Sequence, residues 1–79
     1  MATTKSMLRH WFDYGVAQGA THMIIKWDSF DGEDYPVYVV PGENAYDVAA
    51  ANSERTMECY DLRMDREAQM DETRAFHWE

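Results

Sequence analysis

Hydrophobic and polar positions in the first quarter of the chain predict a helix. Over residues 5–18 hydrophobic and small residues recur at helical spacing; they are Met7, Leu8, Trp11, Phe12, Gly15 and Val16. The hydroxyl of Thr3, Thr4 or Ser6 can cap this helix at its N-terminus. Gly19 can end it, because glycine adopts the left-handed conformation that follows many helices.

Two apolar runs of β-sheet character come next and predict a hairpin. Residues 21–27 are rich in β-forming side chains and alternate between two faces. Residues 35–40 form the second run, with Pro36 near its start. The acidic segment between them, 28–34, has Gly32 in its middle and predicts a loop of about seven residues.

A short helix is predicted after the hairpin. The Pro-Gly pair at 41–42 breaks the second strand. Glu43 or Asn44 can begin a helix that continues through small apolar residues to Ala51. The polar pair at 52–53 is expected to end it.

The last third of the chain predicts a strand, a polar helix and an aromatic tail. Residues 55–62 alternate and are interpreted as a third strand. Asp65 can cap a helix over 66–75, most of whose surface must face water or a partner. Phe76 and Trp78 lie near the end of the chain and are expected to pack back on the body.

These elements predict one α+β domain over residues 1–79, in the order α-β-β-α-β-α. A chain of 79 residues is too short for a second core, and 46% hydrophobic residues are too many for a disordered chain. The expected architecture is a three-stranded, mainly antiparallel sheet packed by helices. Six aromatic side chains at core spacing are expected in its interior: Trp11, Phe12, Trp27, Tyr35, Tyr38 and Tyr60.

Charge is the feature that most restricts the function. The net charge is -8, and 14 of the 15 acidic residues follow residue 27. Such a segment repels nucleic-acid phosphates and anionic lipid, so direct binding to DNA, RNA or a membrane is not expected. A basic protein surface is favoured as the partner, although acidity can also serve solubility alone.

A spaced array of carboxylates could imitate the charge of a nucleic-acid backbone and enter a basic groove. Phe30, in the hydrophilic loop, is either an interface anchor with a charged surround or a side chain folded under the hairpin. The candidate partner-binding residues are Asp28, Phe30, Asp31, Glu33, Asp34, Glu58, Asp61, Asp65, Asp71 and Glu72.

No pattern in the sequence predicts catalysis, a metal site or a cofactor. The acidic loop does not match a calcium-binding EF-hand, since with Gly32 at the invariant glycine only Asp31 falls at a ligand position. Cys59 in an alternating strand is expected to be a small buried hydrophobe. The three histidines lack neighbouring ligands at metal spacing, so structural roles are expected for them.

The expected location is the cytoplasm, and a monomer is expected. A single cysteine cannot form an internal disulfide, which fits a reducing compartment. The basic N-terminus is not followed by the apolar segment of a signal peptide, and no apolar run approaches the length of a membrane span.

Three stretches resemble small uncharacterised proteins of phages and bacterial mobile elements: WFDYGVAQGATHMII at 11–25, FDGEDYPVYV at 30–39 and RAFH at 74–77. In size, acidity and lack of catalytic motifs, the chain is also similar to phage anti-CRISPR proteins. That resemblance implies a protein that binds a CRISPR surveillance complex and stops it from engaging DNA. It carries over no functional residues, because anti-CRISPR proteins share no sequence motif.

The hypothesis from sequence is therefore a non-enzymatic inhibitor of a type I CRISPR surveillance complex, which blocks target DNA by mimicry or steric exclusion. The alternative is an acidic bacterial adaptor or regulatory domain that binds a basic protein or peptide. A third interpretation, a divalent-metal-dependent enzyme, predicts a rise in melting temperature on addition of calcium or magnesium.

Overall fold

The computed structural model describes residues 3–51 and 54–79, and its first element is a capped helix. Helix α1 spans Lys5–Ala17, and the hydroxyl of Thr4 accepts a hydrogen bond of 3.2 Å from the amide of Met7. Gly19 follows with a φ of 77°, the left-handed conformation that stops the helix. The prediction from sequence is confirmed here to within one residue.

The three strands form one antiparallel sheet with β1 in its centre. Strand β1 spans His22–Asp28, β2 spans Glu33–Val39, β3 spans Arg55–Asp61, and the order across the sheet is β2-β1-β3. β1 is central because it is the most apolar strand and is covered on both faces. The predicted α+β class and antiparallel sheet are confirmed.

Two short helices complete the order α-β-β-α-β-α. Helix α2 spans Ala45–Ala50 and begins at Asn44, whose side chain accepts from the amide of Asp47 at 3.0 Å. Its predicted end at 52–53 lies outside the described residues. Helix α3 spans Arg66–Met70 and is capped by Asp65.

The prediction that α3 continues to residue 75 is wrong. Residues 71–74 are exposed and polar, so no apolar face stabilises a further turn. The chain instead turns back to the sheet, where the amide of Cys59 donates to the carbonyl of Ala75 at 2.8 Å. The amide of His77 donates to the carbonyl of Cys59 at 2.9 Å, which makes a short parallel bridge between Phe76 and Cys59.

The predicted seven-residue hairpin loop is also wrong in length. β1 continues to Asp28 and β2 begins at Glu33, and these two residues pair directly. The loop is therefore only the four residues 29–32, because the strand pairing continues through acidic positions. Gly32, with a φ of 69°, closes the turn.

The sheet is covered on both faces, which gives two small cores. α1 and α3 cover one face, with Phe12, Met23, Ile25 and Tyr60 among the buried residues. α2 and Trp78 cover the other face around Ile24, Val39 and Cys59. Of the six aromatics expected in the interior, only Phe12 and Tyr60 are fully buried; Trp11, Trp27, Tyr35 and Tyr38 are half-buried.

Candidate functional site

The end of the β1–β2 hairpin carries a cluster of acidic side chains around an exposed aromatic ring. The carboxylate of Asp28 accepts hydrogen bonds from the amides of Phe30 at 2.9 Å and Asp31 at 3.2 Å. The carbonyl of Asp28 also accepts from the amide of Gly32 at 2.8 Å. Asp28 therefore organises the loop and holds Phe30 at its tip.

Phe30 is 96% exposed, which excludes the alternative that it folds under the hairpin. The remaining interpretation, an aromatic side chain held in water among acids, is the one that fits the geometry. A phenylalanine in this position contributes nothing to the core of the domain. Its burial by a partner would contribute about 1.5–3 kcal/mol to binding.

The acids around Phe30 are close enough for the charge of one to shift the pKa of another. The neighbouring charge of Asp28 raises the pKa of Asp31, and the charge of Glu33 adds to this effect. In the described ranges, 3–51 and 54–79, no lysine or arginine forms an ion pair with any of these three carboxylates. We name Asp28, Phe30, Asp31 and Glu33 the acidic hairpin end.

Asp34, the remaining hairpin acid, belongs to a different environment. It lies opposite Trp27 on the face covered by α1, and its carboxylate accepts a hydrogen bond from the hydroxyl of Thr3 at 2.5 Å. Its second oxygen is buried without a hydrogen-bond partner in the part of the chain that the structure describes. Asp34 therefore contributes little to the exposed charge of the hairpin.

The predicted acids of the last strand and helix are mostly engaged within the molecule. Asp61 is buried and receives three hydrogen bonds of 2.9 Å from Arg63. These bonds lower the pKa of Asp61 although its burial acts in the opposite direction. Asp71 forms a 3.4 Å ion pair with Lys5, and Glu72 contacts the ring of His77 at 2.9 Å.

Two further predicted acids have structural positions of their own. Asp65 caps α3 by accepting from the amide of Ala68 at 2.8 Å. Glu58 is half-buried and lies opposite Ile25 in the sheet. Neither side chain extends the cluster around Phe30.

The ten predicted residues thus do not form one array: four make up the acidic hairpin end, and the other six have separate positions. Asp61 pairs with His22 at one end of β1, whereas Asp28 lies six residues further along the same strand. At the usual rise per residue this separates them by about 20 Å. The structure therefore brings together only the hairpin residues of the predicted array, and of the other acids Asp61 and Asp71 form ion pairs with Arg63 and Lys5.

The cations of α1 and α3 are paired with nearby acids. Arg9 binds Glu67 with a shortest contact of 2.7 Å, and Arg66 binds both Asp13 and Glu67 at 2.8 Å. These two guanidinium groups lower the pKa of Glu67 to about 2. Charges on the helical side are therefore paired, whereas the acidic hairpin end has no ion pair in the described ranges, although Arg55 lies opposite Trp27 next to Asp28.

Sequence reasoning missed the buried lysine of β1. Lys26 is 1% exposed, and its ammonium donates to the carbonyl of Ala49 at 2.7 Å, the carbonyl of Glu54 at 2.8 Å and the hydroxyl of Thr56 at 3.0 Å. Burial lowers its pKa, partly offset by the charge of Glu54. The sequence contains one signal of this burial: in the alternating strand, Lys26 falls on the same face as the apolar residue Ile24.

The described residues offer no obvious centre for chemistry. Within ranges 3–51 and 54–79, no three His, Cys, Asp or Glu side chains are grouped so that they could hold a metal ion. Cys59 is fully buried, as predicted, and burial raises its pKa to about 12, which opposes formation of a thiolate nucleophile. No helix in the described part of the chain is long and apolar enough to cross a membrane.

Two of the three histidines, His22 and His77, bind neighbouring groups in structural roles. His22 is buried, with its two ring nitrogens 2.9 Å from the hydroxyl of Thr21 and 2.7 Å from the carbonyl oxygen of Glu79. His77 contacts Glu72. These contacts hold the C-terminal tail against the end of the sheet.

Comparison with protein-family models, curated proteins and solved structures found no match to this chain. The resemblance to small phage proteins therefore stays a prediction. Any assignment of function depends on the geometry and charge of the acidic hairpin end.

Proposed function

We propose that the protein is a stoichiometric, non-enzymatic inhibitor that docks its acidic hairpin end in a basic groove of another protein. The observation that carries this proposal is the set of three carboxylates, on Asp28, Asp31 and Glu33, which form no ion pair within the described ranges and lie around the exposed ring of Phe30. Negative charge at this end would steer the molecule toward lysines and arginines that normally hold nucleic-acid phosphates.

The two kinds of side chain in the acidic hairpin end have different roles in the proposal. The carboxylates attract the partner over distances of about 10 Å and pair with its cations at contact. Phe30 is the apolar anchor, which loses its water only when the complex has formed. The turn bonds of Asp28 fix the backbone of the loop before binding, so little backbone conformational entropy is lost on docking.

The partner that fits the sequence hypothesis is a type I CRISPR surveillance complex in the cytoplasm of a host cell. Such a complex contains a basic channel for target DNA. Occupation of that channel by the acidic hairpin end would exclude DNA without any chemical step. The proposal does not require the acids of β3 and α3, most of which have partners within the molecule.

A second candidate is an adaptor that binds a basic protein or peptide with no part in defence. The observation that favours it is an exposed pocket of 210 Å³ near the C-terminus, which has no counterpart in a nucleic-acid backbone. Its lining residues, which we name the aromatic groove, are Tyr46, Ala49, Ala50, Thr56, Phe76 and Trp78. Both candidates bind a basic partner, and they differ in whether binding competes with nucleic acid.

The direct test is the affinity of charge-reversal variants for the surveillance complex. The double variant Asp31→Lys, Glu33→Lys should bind at least about tenfold more weakly, because each reversal replaces an attraction by a repulsion. Asp13→Lys with Glu43→Lys makes the same change in net charge at two exposed acids away from the hairpin and should bind within about threefold of wild type. Equal losses for both double variants would mean that only net charge matters and would contradict the proposal.

A further inference from the structure

The tip of the β1–β2 hairpin contains an aspartate that is followed directly by a glycine, Asp31-Gly32. The chain has eight aspartates, and Asp31 alone precedes a glycine. In such a pair the carboxyl carbon of the side chain and the next backbone nitrogen can close a five-membered ring, and glycine has no side chain to hinder their approach. This peptide bond therefore carries a chemistry of its own, the formation of a succinimide.

The structure presents this pair to solvent. Asp31 is exposed and lies in the four-residue loop 29–32, outside the strand pairing. Gly32 has a φ of 69°, a conformation that residues with a side chain rarely adopt. Within the described residues, the position that a Cβ would take at Gly32 has no atom within 4 Å beyond the adjacent residues. Packing against other elements therefore does not hinder the loop at this point.

A hydrogen bond of the loop restrains the reaction. The amide of Gly32 donates to the carbonyl of Asp28 at 2.8 Å, and the ring can close only while this bond is open. The bond belongs to an exposed turn with no buried apolar side chain, and local opening of such a segment costs much less free energy than global unfolding. The reaction can therefore proceed from the folded protein.

The neighbouring carboxylates favour the reactive form of Asp31. Ring closure expels the hydroxyl of the carboxyl group, so the protonated acid reacts far more readily than the carboxylate. The charge of Asp28 raises the pKa of Asp31, and the charge of Glu33 adds to this effect. More of Asp31 is therefore protonated at a given pH than of an isolated aspartate.

We propose that Asp31-Gly32 is a site of spontaneous isoaspartate formation within the acidic hairpin end. The backbone nitrogen of Gly32 forms a bond to Cγ of Asp31. The bond from Cγ to the carboxyl hydroxyl breaks, and this hydroxyl leaves with the amide proton as water. A water molecule then opens the ring at one of its two carbonyl groups. Attack at Cγ restores aspartate, and attack at the backbone carbonyl carbon of residue 31 gives isoaspartate.

The modification changes the features on which the proposed function depends. The succinimide lacks one negative charge. Isoaspartate keeps the charge, but it adds a methylene group to the backbone between Phe30 and Gly32 and moves the carboxylate. The turn bonds from the amides of residues 30 and 31 to Asp28 no longer fit a loop of this length. The effect on partner binding rests on the proposed function, whereas the chemistry can be tested without a partner.

The test incubates the purified protein at 37 °C for several weeks at pH 5, pH 6.5 and pH 8. Peptide mapping with isoaspartyl methyltransferase locates isoaspartate, since this enzyme methylates isoaspartate and not aspartate; a sample taken at the start gives the background from digestion. A capped peptide of residues 28–34 is the unstructured reference. We expect residue 31 to exceed every other aspartate by at least about fivefold. The rate should be at least about threefold higher at pH 5 than at pH 8, because less Asp31 is protonated at pH 8.

Two conservative variants identify the reacting residue. Asp31→Glu keeps the negative charge, but its longer side chain cannot close a five-membered ring, so methylation of the loop should fall to background. Asp47→Glu makes the same change at an exposed position in α2 and should leave methylation of residue 31 unchanged.

The inference would be overturned if residue 31 stayed unmodified while the reference peptide converted, because the folded loop would then hold the Gly32 amide too firmly. Equal methylation of Asp31→Glu and wild type would also overturn it. The isoaspartate form, separated by ion exchange, should bind the surveillance complex at least about tenfold more weakly than unmodified protein. Equal binding would count against the hairpin proposal alone, so the two failures are distinguishable.

Discussion

The buried ammonium of Lys26 lies 2.7 Å from the carbonyl oxygen of Ala49, and this contact joins the C-terminal end of α2 to the central strand. The carbonyl groups in the last turn of a helix lack partners within the helix and carry partial negative charge. Lys26 supplies a partner to one of them and donates at the same time to Glu54 and Thr56. One side chain thus fixes the position of α2, which forms a wall of the aromatic groove.

Lys26→Met should therefore destabilise the domain, although it replaces a buried charge with an apolar side chain of similar length. The three oxygens that the ammonium satisfies would lose their partner, at an expected total cost of about 2–4 kcal/mol. Lys5→Met is the matched control, because Lys5 makes only an exposed ion pair worth less than about 1 kcal/mol. Urea unfolding at pH 7 measures the free energy of unfolding of both variants, and equal values would contradict the role assigned to Lys26.

Gly15→Ala should destabilise the protein, which is the opposite of the usual effect of alanine in a helix. A Cβ at Gly15 would lie 2.6 Å from a methyl carbon of Leu62 and 2.7 Å from the ring of Tyr38. The clash should cost about 1–3 kcal/mol, more than the ~1 kcal/mol that alanine gains in helix propensity. Thermal unfolding of Gly15→Ala beside Val16→Ala, an exposed neighbour in α1, measures the difference; a stabilised Gly15→Ala protein would contradict the packing.

Stability should fall as the pH drops from about 5 toward 2. Arg9 and Arg66 lower the pKa of Glu67 to about 2, whereas in the unfolded chain a glutamate protonates near pH 4.3. A lowered folded pKa gives stability that is present above the unfolded pKa and is lost as the pH falls through the folded pKa. Glu67→Gln should be less stable than wild type at pH 7 and should lose less on acidification. Melting temperatures at pH 7 and pH 3 test this, and parallel losses in both proteins would contradict it.

Stability should also fall between about pH 9 and pH 12. Burial raises the pKa of Cys59 to about 12 and also raises the pKa of Tyr60. The unfolded chain releases these protons first, so each such group costs about 1.4 kcal/mol per pH unit in that window. Tyr60→Phe should flatten the dependence, while Val40→Thr, which adds no titratable group, should not. Urea midpoints of wild type and both variants across this pH range measure the dependence, and an equally steep fall in Tyr60→Phe would contradict the prediction.

The order of elements could be predicted from the sequence because each element carries a local signal. The apolar spacing of α1, the alternation of β1 and the breakers around residues 41–42 all indicated the correct class. The length of the hairpin loop could not be predicted, since pairing of Asp28 with Glu33 depends on the partner strand rather than on local preference. The end of α3 at Met70 depends similarly on the contact between Ala75 and Cys59.

The candidate site was predictable only in part. The acids of residues 28–33 could be found by charge alone, because no cation occurs among them in the sequence. The neutralisation of Asp61 by Arg63 depends on a tight turn after β3, which composition does not reveal. The aromatic groove joins Tyr46 and Trp78, which are 32 positions apart in the sequence, so no local pattern indicates it.

The central claim is tested most directly by target-DNA binding of a purified type I CRISPR surveillance complex, measured with and without this protein at 50 and 300 mM NaCl. The account predicts that near-stoichiometric protein abolishes DNA binding at low salt. It also predicts that salt relieves the inhibition and that the double variant Asp31→Lys, Glu33→Lys does not inhibit. Unchanged DNA binding together with no co-elution of the two components would contradict the claim.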